Sequence, residues 1–246
     1  MPGTQNTGRQ STGTQSADMK RTGTRARGPY QLLQENFRRP VGAPGALVGH
    51  LMTVQHRGLT QWSAEHLDVR RTHRVLDLGC GSGMAVELLA RRAELGFVAG
   101  LDHSATMVRQ AVRRNAAAIG AGRVAIRHGD VGQLPYEDGV FDRVSAIETF
   151  YFWPDPLRGL AEAYRVLKPG GRLAVTLEMS REAAAVPTLT QRFFGRRFTE
   201  RSERDGLRIL SGADLAEMLD VAGFKDTRFV AEPRRSLGWV CALGSK

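Results

Sequence analysis

The run Val75-Leu76-Asp77-Leu78-Gly79-Cys80-Gly81-Ser82-Gly83 constrains this chain more than any other feature. Arg74 to Leu78 reads as a strand and Gly83 to Leu95 as a helix, with glycines at alternate positions between them. A strand that turns through glycine into a helix opens a βα unit, and the turn lies at the carboxyl end of the strand. In an open parallel sheet, that edge is where ligands bind. Glycine lets the backbone approach a ligand with no Cβ in the way. The helix start offers unpaired N–H groups to an anion. Spacing excludes two other glycine loops. The dinucleotide fingerprint needs glycine or alanine three residues after its second glycine, where Met84 stands. The phosphate-binding loop needs Gly-Lys, a pair this chain lacks.

The remaining chain continues the alternation. Strands are predicted over Phe97–Asp102, Arg123–His128, Phe141–Ile147 and Arg172–Met179, with a closing pair at Phe224–Glu232 and Ser236–Leu243. Helices are predicted over Ser104–Ile119 with Ser104 as N-cap, Asp155–Leu167, and Ser211–Ala222 ended by Gly223. Lys168-Pro169-Gly170-Gly171 reads as a turn. Before the first strand, Leu47, Leu51, Val54, Leu59 and Trp62 recur at helical spacing, so Pro44–Leu67 is expected to be an amphipathic helix. This is an α/β pattern with a mostly parallel sheet.

Charge bears on partners. The 246 residues carry a net +10, but 31 of the 35 basic residues are arginine, which reads as GC-rich codon usage rather than a nucleic-acid surface. Residues 1–28 contain no Leu, Ile, Val, Phe, Tyr or Trp, yet hold five bases and one acid. They have nothing apolar to offset ordering entropy and are expected to be a disordered basic tail, with one domain spanning 29–246. The tail lacks the apolar run of a signal peptide, and no stretch of the chain is long and apolar enough to span a membrane. Two widely separated cysteines make neither a disulfide framework nor a zinc site.

Two acids follow the glycine turn on schedule. Asp102 ends the second strand, where a carboxylate can accept hydrogen bonds from both hydroxyls of a ribose. Asp130, in Gly129-Asp130-Val131, ends the third and could accept from an adenine amino group. Together, Asp77–Gly83, Leu101-Asp102-His103-Ser104, Gly129-Asp130 with Leu134-Pro135-Tyr136 and Phe141-Asp142, and Arg165-Val166-Leu167-Lys168-Pro169-Gly170-Gly171 make an ordered set over about residues 45–243. That set resembles the class I S-adenosylmethionine-dependent methyltransferases, nearest to the group with quinone and natural-product methyltransferases. The resemblance implies a Rossmann-like seven-stranded sheet, its last strand antiparallel, with helices on both faces. It implies S-adenosylmethionine bound by Asp77, Gly79, Cys80, Gly81, Gly83, Asp102, His103, Met107, Asp130 and Val131.

The acceptor side is less legible. Glu148-Thr149-Phe150-Tyr151-Phe152-Trp153-Pro154 follows the fourth strand, and it lacks the Asn/Asp-Pro-Pro-Tyr/Phe of the family's base- and amide-methylating enzymes. Four successive aromatics suit an apolar acceptor, with core packing as their other role. Glu148 and Tyr151 are the candidates for orienting the acceptor or serving as base. The resemblance implies that residues 180–210 form a lid over the acceptor; their Phe193, Phe194, Phe198 and seven arginines against four acids read as a solvated basic helix or as groups for a carboxylate or phosphate. The six histidines form no His-x-x-x-His pair, so no metal site is expected, and His50 and His56 read as packing or surface residues. The expectation is a cytoplasmic enzyme for a small-molecule acceptor, with no membrane or nucleic-acid partner and with room for a homo-oligomer. The alternatives are an RNA or protein methyltransferase anchored by the tail, and a non-catalytic donor-binding protein. Deleting residues 1–28 is expected to leave the melting temperature and donor affinity unchanged. A loss of several degrees in calorimetry would show the tail to be part of the domain.

Overall fold

The computed structural model describes residues 56–185, 200, 202–204 and 207–246. The basic tail, the first half of the predicted Pro44–Leu67 helix and most of the 180–210 lid lie outside them. The first described element is α1 (Arg57–His66). It is followed by β1 (Arg74–Leu78), α2 (Met84–Arg92), β2 (Phe97–Asp102), α3 (Ala105–Arg114), α4 (Ala116–Gly120) and β3 (Val124–His128). The chain continues through β4 (Phe141–Ile147), α5 (Pro156–Val166), β5 (Leu167–Leu177), α6 (Gly212–Val221), β6 (Lys225–Glu232) and β7 (Trp239–Ser245). Among the described residues, no helix is long and apolar enough to cross a membrane.

The strands form one seven-stranded sheet in the order β3-β2-β1-β4-β5-β7-β6. The pairs from β3 to β5 are parallel, and β7 runs antiparallel to both β5 and β6. The chain winds outward from β1 in two directions, so the order reverses between β1 and β4. An open sheet holds its ligand crevice at such a point. Period-two alternation divides the core. Leu76, Ala99, Val175 and Ala242 pack in one cluster with α5 and α6, while their neighbours Val75, Val98, Ala174 and Cys241 pack in another with α1 and α2. Both faces of the sheet are therefore covered, which explains why its strands read as nearly continuous apolar runs.

Local chemistry sets the helix ends. Ser104 accepts from the Met107 N–H, Asp155 from the Arg158 N–H ahead of Pro156, and Ser211 forms a reciprocal capping box with Asp214. The predicted Ser104–Ile119 helix is two helices. Asn115 interrupts it, donating from Nδ2 to Ala111 O (2.9 Å) and to Gly83 O (3.1 Å) on the neighbouring helix start. The predicted Lys168–Gly171 turn is carried inside β5. Pairing jumps from Leu167 opposite Phe141 to Arg172 opposite Arg143, and Gly170 takes φ +76° where the chain bulges.

Helix α1 departs from its apolar pattern. It buries Thr60 and Ser63 beside Leu59 and Ala64, and Ser63 Oγ meets Thr176 Oγ1 of β5 at 2.7 Å. That buried pair fixes the rotation of α1, and Thr60, three residues earlier, shares the face it turns to the sheet. Arg143 on β4 secures the other end of α1. Its guanidinium donates to Leu67 O (2.9 Å), Asp68 O (3.2 Å) and Asp142 O (2.9 Å). Replacing Arg143 with Met should destabilise the fold by roughly 2–3 kcal/mol, because three carbonyls lose a charged donor. Denaturant titration measures this, and an unchanged midpoint would show that α1 is held by packing alone.

Candidate active site

The glycine turn is built by the backbone. The N–H groups of Gly79 and Cys80 both donate to Leu101 O, at 2.7 and 3.0 Å, which folds the end of β1 against the end of β2. Gly79, Gly81 and Gly83 all have positive φ, at +68°, +52° and +80°, a region costly for residues with a Cβ. Their surroundings differ. A Cβ on Gly79 would overlap the Thr149 side chain, whereas one on Gly81 would meet nothing within 4 Å. A Cβ on Gly83 would strike Asn115 and Ala111.

Asp102 holds the turn in place. Its Oδ2 accepts from Gly81 N at 2.8 Å and its Oδ1 from Ser104 N at 2.8 Å. Each carboxylate oxygen keeps further acceptor capacity. Asp77 is 2% exposed and accepts from Ser145 Oγ at 2.7 Å. Burial pushes its pKa up to about 7, an effect that the Ser145 bond opposes and the nearby Asp102 charge reinforces. Burial likewise raises the Cys80 thiol well above its ordinary value, so it stays protonated.

These groups surround a cavity of about 280 Å³ at the carboxyl edge of the sheet. Of the residues singled out from sequence, Asp77, Gly79, Cys80, Gly81 and Asp102 line it. So do His103, Met107, Asp130, Val131 and Glu148. Asp130 spends one oxygen on a turn, accepting from Gly132 N at 2.7 Å. Two of the expected site residues lie apart from the cavity. Gly83 does not line the cavity; its missing Cβ lets the start of α2 pack against α3. Tyr151 does not line it either, because it is 5% exposed and its hydroxyl is occupied by the Met179 backbone. That hydroxyl donates to Met179 O (2.8 Å), accepts from Met179 N (2.9 Å), and also borders the Glu148 carboxylate. The aromatic run divides: Phe150 and Tyr151 enter the core, Phe152 lines the cavity, and Trp153, itself buried in the core, also borders the cavity.

Three residues that spacing did not single out as functional complete this end of the site: His56, Thr60 and Glu178. His56 and Thr60 line the cavity from α1 and its entry. His56 Nε2 lies 2.9 Å from Glu178 Oε2 and 4.0 Å from Glu148 Oε2. Glu148 Oε1 also accepts from the Glu178 N–H. Glu148 has φ +56°, a strained value for a residue with a long side chain. Burial pushes its carboxyl up to about 7, against the opposing charge of His56. Burial alone would lower the His56 pKa, but the Glu178 bond and the two carboxylate charges outweigh it and raise it. Burial alone would raise the Glu178 pKa, but the bonds from His56, Ser236 and Trp239 and the His56 charge together outweigh it and lower it. No spacing signal could have joined His56, Glu148 and Glu178, because they come from three separate elements.

Comparison with known proteins fits this geometry. Residues 76–175 match a family described as a methyltransferase domain. The chain is 33% identical over 189 residues to the demethylmenaquinone methyltransferase of Lactiplantibacillus plantarum, covering 71% of this chain and 79% of that protein. It is 38% identical over 117 residues to the 27-O-demethylrifamycin SV methyltransferase of Amycolatopsis mediterranei, covering 48% and 43% respectively. Among solved structures, the [4+2]-cyclase SpnF superposes with a TM-score of 0.62 at 26% identity, over 77% of this chain and 80% of that one. Replacing Tyr151 with Phe is expected to cost about 1–3 kcal/mol of stability, because the Met179 N–H and C=O would both lose their partner. Thermal unfolding tests this, and an unchanged melting temperature would free Tyr151 for another role.

Proposed function

The chain belongs to the class I S-adenosylmethionine-dependent methyltransferases, and from that membership we propose that it methylates a small-molecule acceptor in the cytoplasm. The observation that carries the reading is the Asp102–Gly81 pair at the cavity edge. It joins a backbone with open space where its Cβ would be to a carboxylate with spare acceptor capacity. Those features suit a nucleoside-bearing donor. Asp102 would take the ribose hydroxyls, Asp130 the adenine amino group, and Met107 and Val131 the apolar faces of the base. When bound, S-adenosylmethionine supplies a methyl group on a sulfonium, a good leaving group.

The chain's own residues then have little covalent work. They align the acceptor for in-line displacement and exclude water. Phe152 and Trp153 offer an apolar wall, and Glu148 offers a buried carboxyl facing the cavity. Tyr151 acts here as a positioning residue for Glu148 through the end of β5. The named relatives that methylate a menaquinone precursor and a rifamycin support a small-molecule acceptor. The two buried, free cysteines suit a reducing compartment. The likeness to a [4+2]-cyclase supports a second reading, in which this fold serves something other than methyl transfer.

Replacing Asp102 with Ala should weaken donor binding by about 1–3 kcal/mol, and Gly81→Leu should abolish it by filling ligand space. Calorimetry on folded variants decides, and unchanged affinities would sink the donor assignment. Incubation with methyl-labelled donor and a fractionated lysate should label small molecules. Label appearing only in RNA or protein would overturn the acceptor class, and tight donor binding without any label would favour the second reading.

A further inference from the structure

The His56, Glu148 and Glu178 side chains converge from three elements onto one end of the cavity, and methyl transfer itself requires no such cluster. One donor atom from each residue lies within 4.8 Å of the other two. The side chains of His56, Glu148 and Glu178 are only 13%, 15% and 11% exposed. Two buried carboxylates thus share one imidazole. Among the described residues, no lysine or arginine pairs with either carboxylate. A single imidazole thus faces two carboxyl groups in a largely desolvated place, where a divalent cation would match both carboxylates better than one proton does.

We propose that His56, Glu148 and Glu178 bind a divalent first-row transition-metal ion of the Mn2+ or Zn2+ type at the acceptor end of the cavity. One imidazole nitrogen and two carboxylate oxygens are the ligand set such ions accept. Metal–ligand bonds of about 2.1 Å place neighbouring ligand atoms about 3–3.4 Å apart. The His56–Glu178 separation of 2.9 Å is a direct hydrogen bond, just under that spacing, whose proton the ion would replace, and the His56–Glu148 separation of 4.0 Å needs a small contraction within reach of the glutamate torsions. The carboxylates are also held from behind, as ligating carboxylates are. Glu148 Oε1 takes the Glu178 N–H, which leaves Oε2 toward His56, and Ser236 bonds the Glu178 carboxylate. The left-handed backbone at Glu148 is a strain that persists where surrounding contacts over-determine a position. Three protein ligands leave coordination positions open. His56 and Glu148 line the cavity, so those positions are available to an oxygen-bearing acceptor.

The test needs no acceptor. The full chain, stripped with chelator, is titrated separately with MnCl2 and ZnCl2 by calorimetry, and bound Mn2+ is examined by electron spin echo spectroscopy. Saturable binding of one ion per chain is expected, with nitrogen coupling to Mn2+ and a higher melting temperature in the presence of the ion. His56→Ala should remove the nitrogen coupling. Glu148→Gln and Glu178→Gln should each weaken binding at least ~10-fold. If a variant fails to fold by circular dichroism, the nitrogen coupling of the unmodified chain decides alone. No saturable binding of either ion overturns the site and leaves a proton-sharing cluster. So does Mn2+ bound without nitrogen coupling, and affinity unchanged in both folded glutamate variants would mark an adventitious ion. Donor affinity on the same sample is a separate readout, so failure of the methyl-donor reading would not be mistaken for failure of this one.

Discussion

Everything at the functional edge depends on how the end of β1 is tied to the end of β2. Leu101 O receives two successive N–H groups from Gly79 and Cys80, and Asp102 receives a third from Gly81. These bonds force the chain into positive φ three times within five residues, which glycine does without a Cβ penalty. Because Asp102 also receives the Ser104 N–H at the start of α3, one carboxylate couples the turn after β1 to the turn after β2. A group that also serves as the candidate ribose acceptor is thereby held rigid before any ligand arrives. Preorganisation of this kind reduces the ordering cost of binding.

The opposite end of the cavity is assembled differently. There the polar groups come from α1, from the strained exit of β4 and from the end of β5. They are held by side-chain contacts across the fold. The Ser63–Thr176 bond sets α1 on the sheet, Arg143 closes over its carboxyl end, and Tyr151 clasps the Met179 backbone next to Glu178. Each contact is buried or nearly so, where an unpaired polar group would be costly. This makes the acceptor side a set of interlocking positions in which Tyr151 contributes by holding others. A glycine turn can be shared widely among donor-binding proteins, whereas such a set can be rebuilt for one acceptor.

Local pattern accounts for most of the fold. Apolar runs separated by helical segments imply a parallel sheet, and the structure explains their near-continuity through coverage on both faces. The misplaced boundaries have local causes that periodicity does not register. Asn115 satisfies carbonyls on two helices and so breaks one predicted helix into two. The Pro-Gly-Gly sequence bulges within a strand because β4 pairs with β5 both before and after it, and β7 pairs from Arg172 onward.

For the donor side, sequence alone determined the turn, the two acids that follow it and their order along the chain. Those features are short-range, and alternation of strand and helix brings successive strand ends to one edge. It could not separate Gly81, with open cavity beside it, from Gly83, which serves helix packing, because both are glycines at positive φ. Nor could it tell that Tyr151 turns inward while Phe152 lines the cavity and Trp153 joins core and cavity wall, since four consecutive aromatics carry no period. Only the tertiary structure joined His56 to Glu148 and Glu178, residues without a common helix, strand or turn. Their convergence depends on the crossing of α1 over the ends of β4 and β5, and long-range packing writes no spacing into the chain.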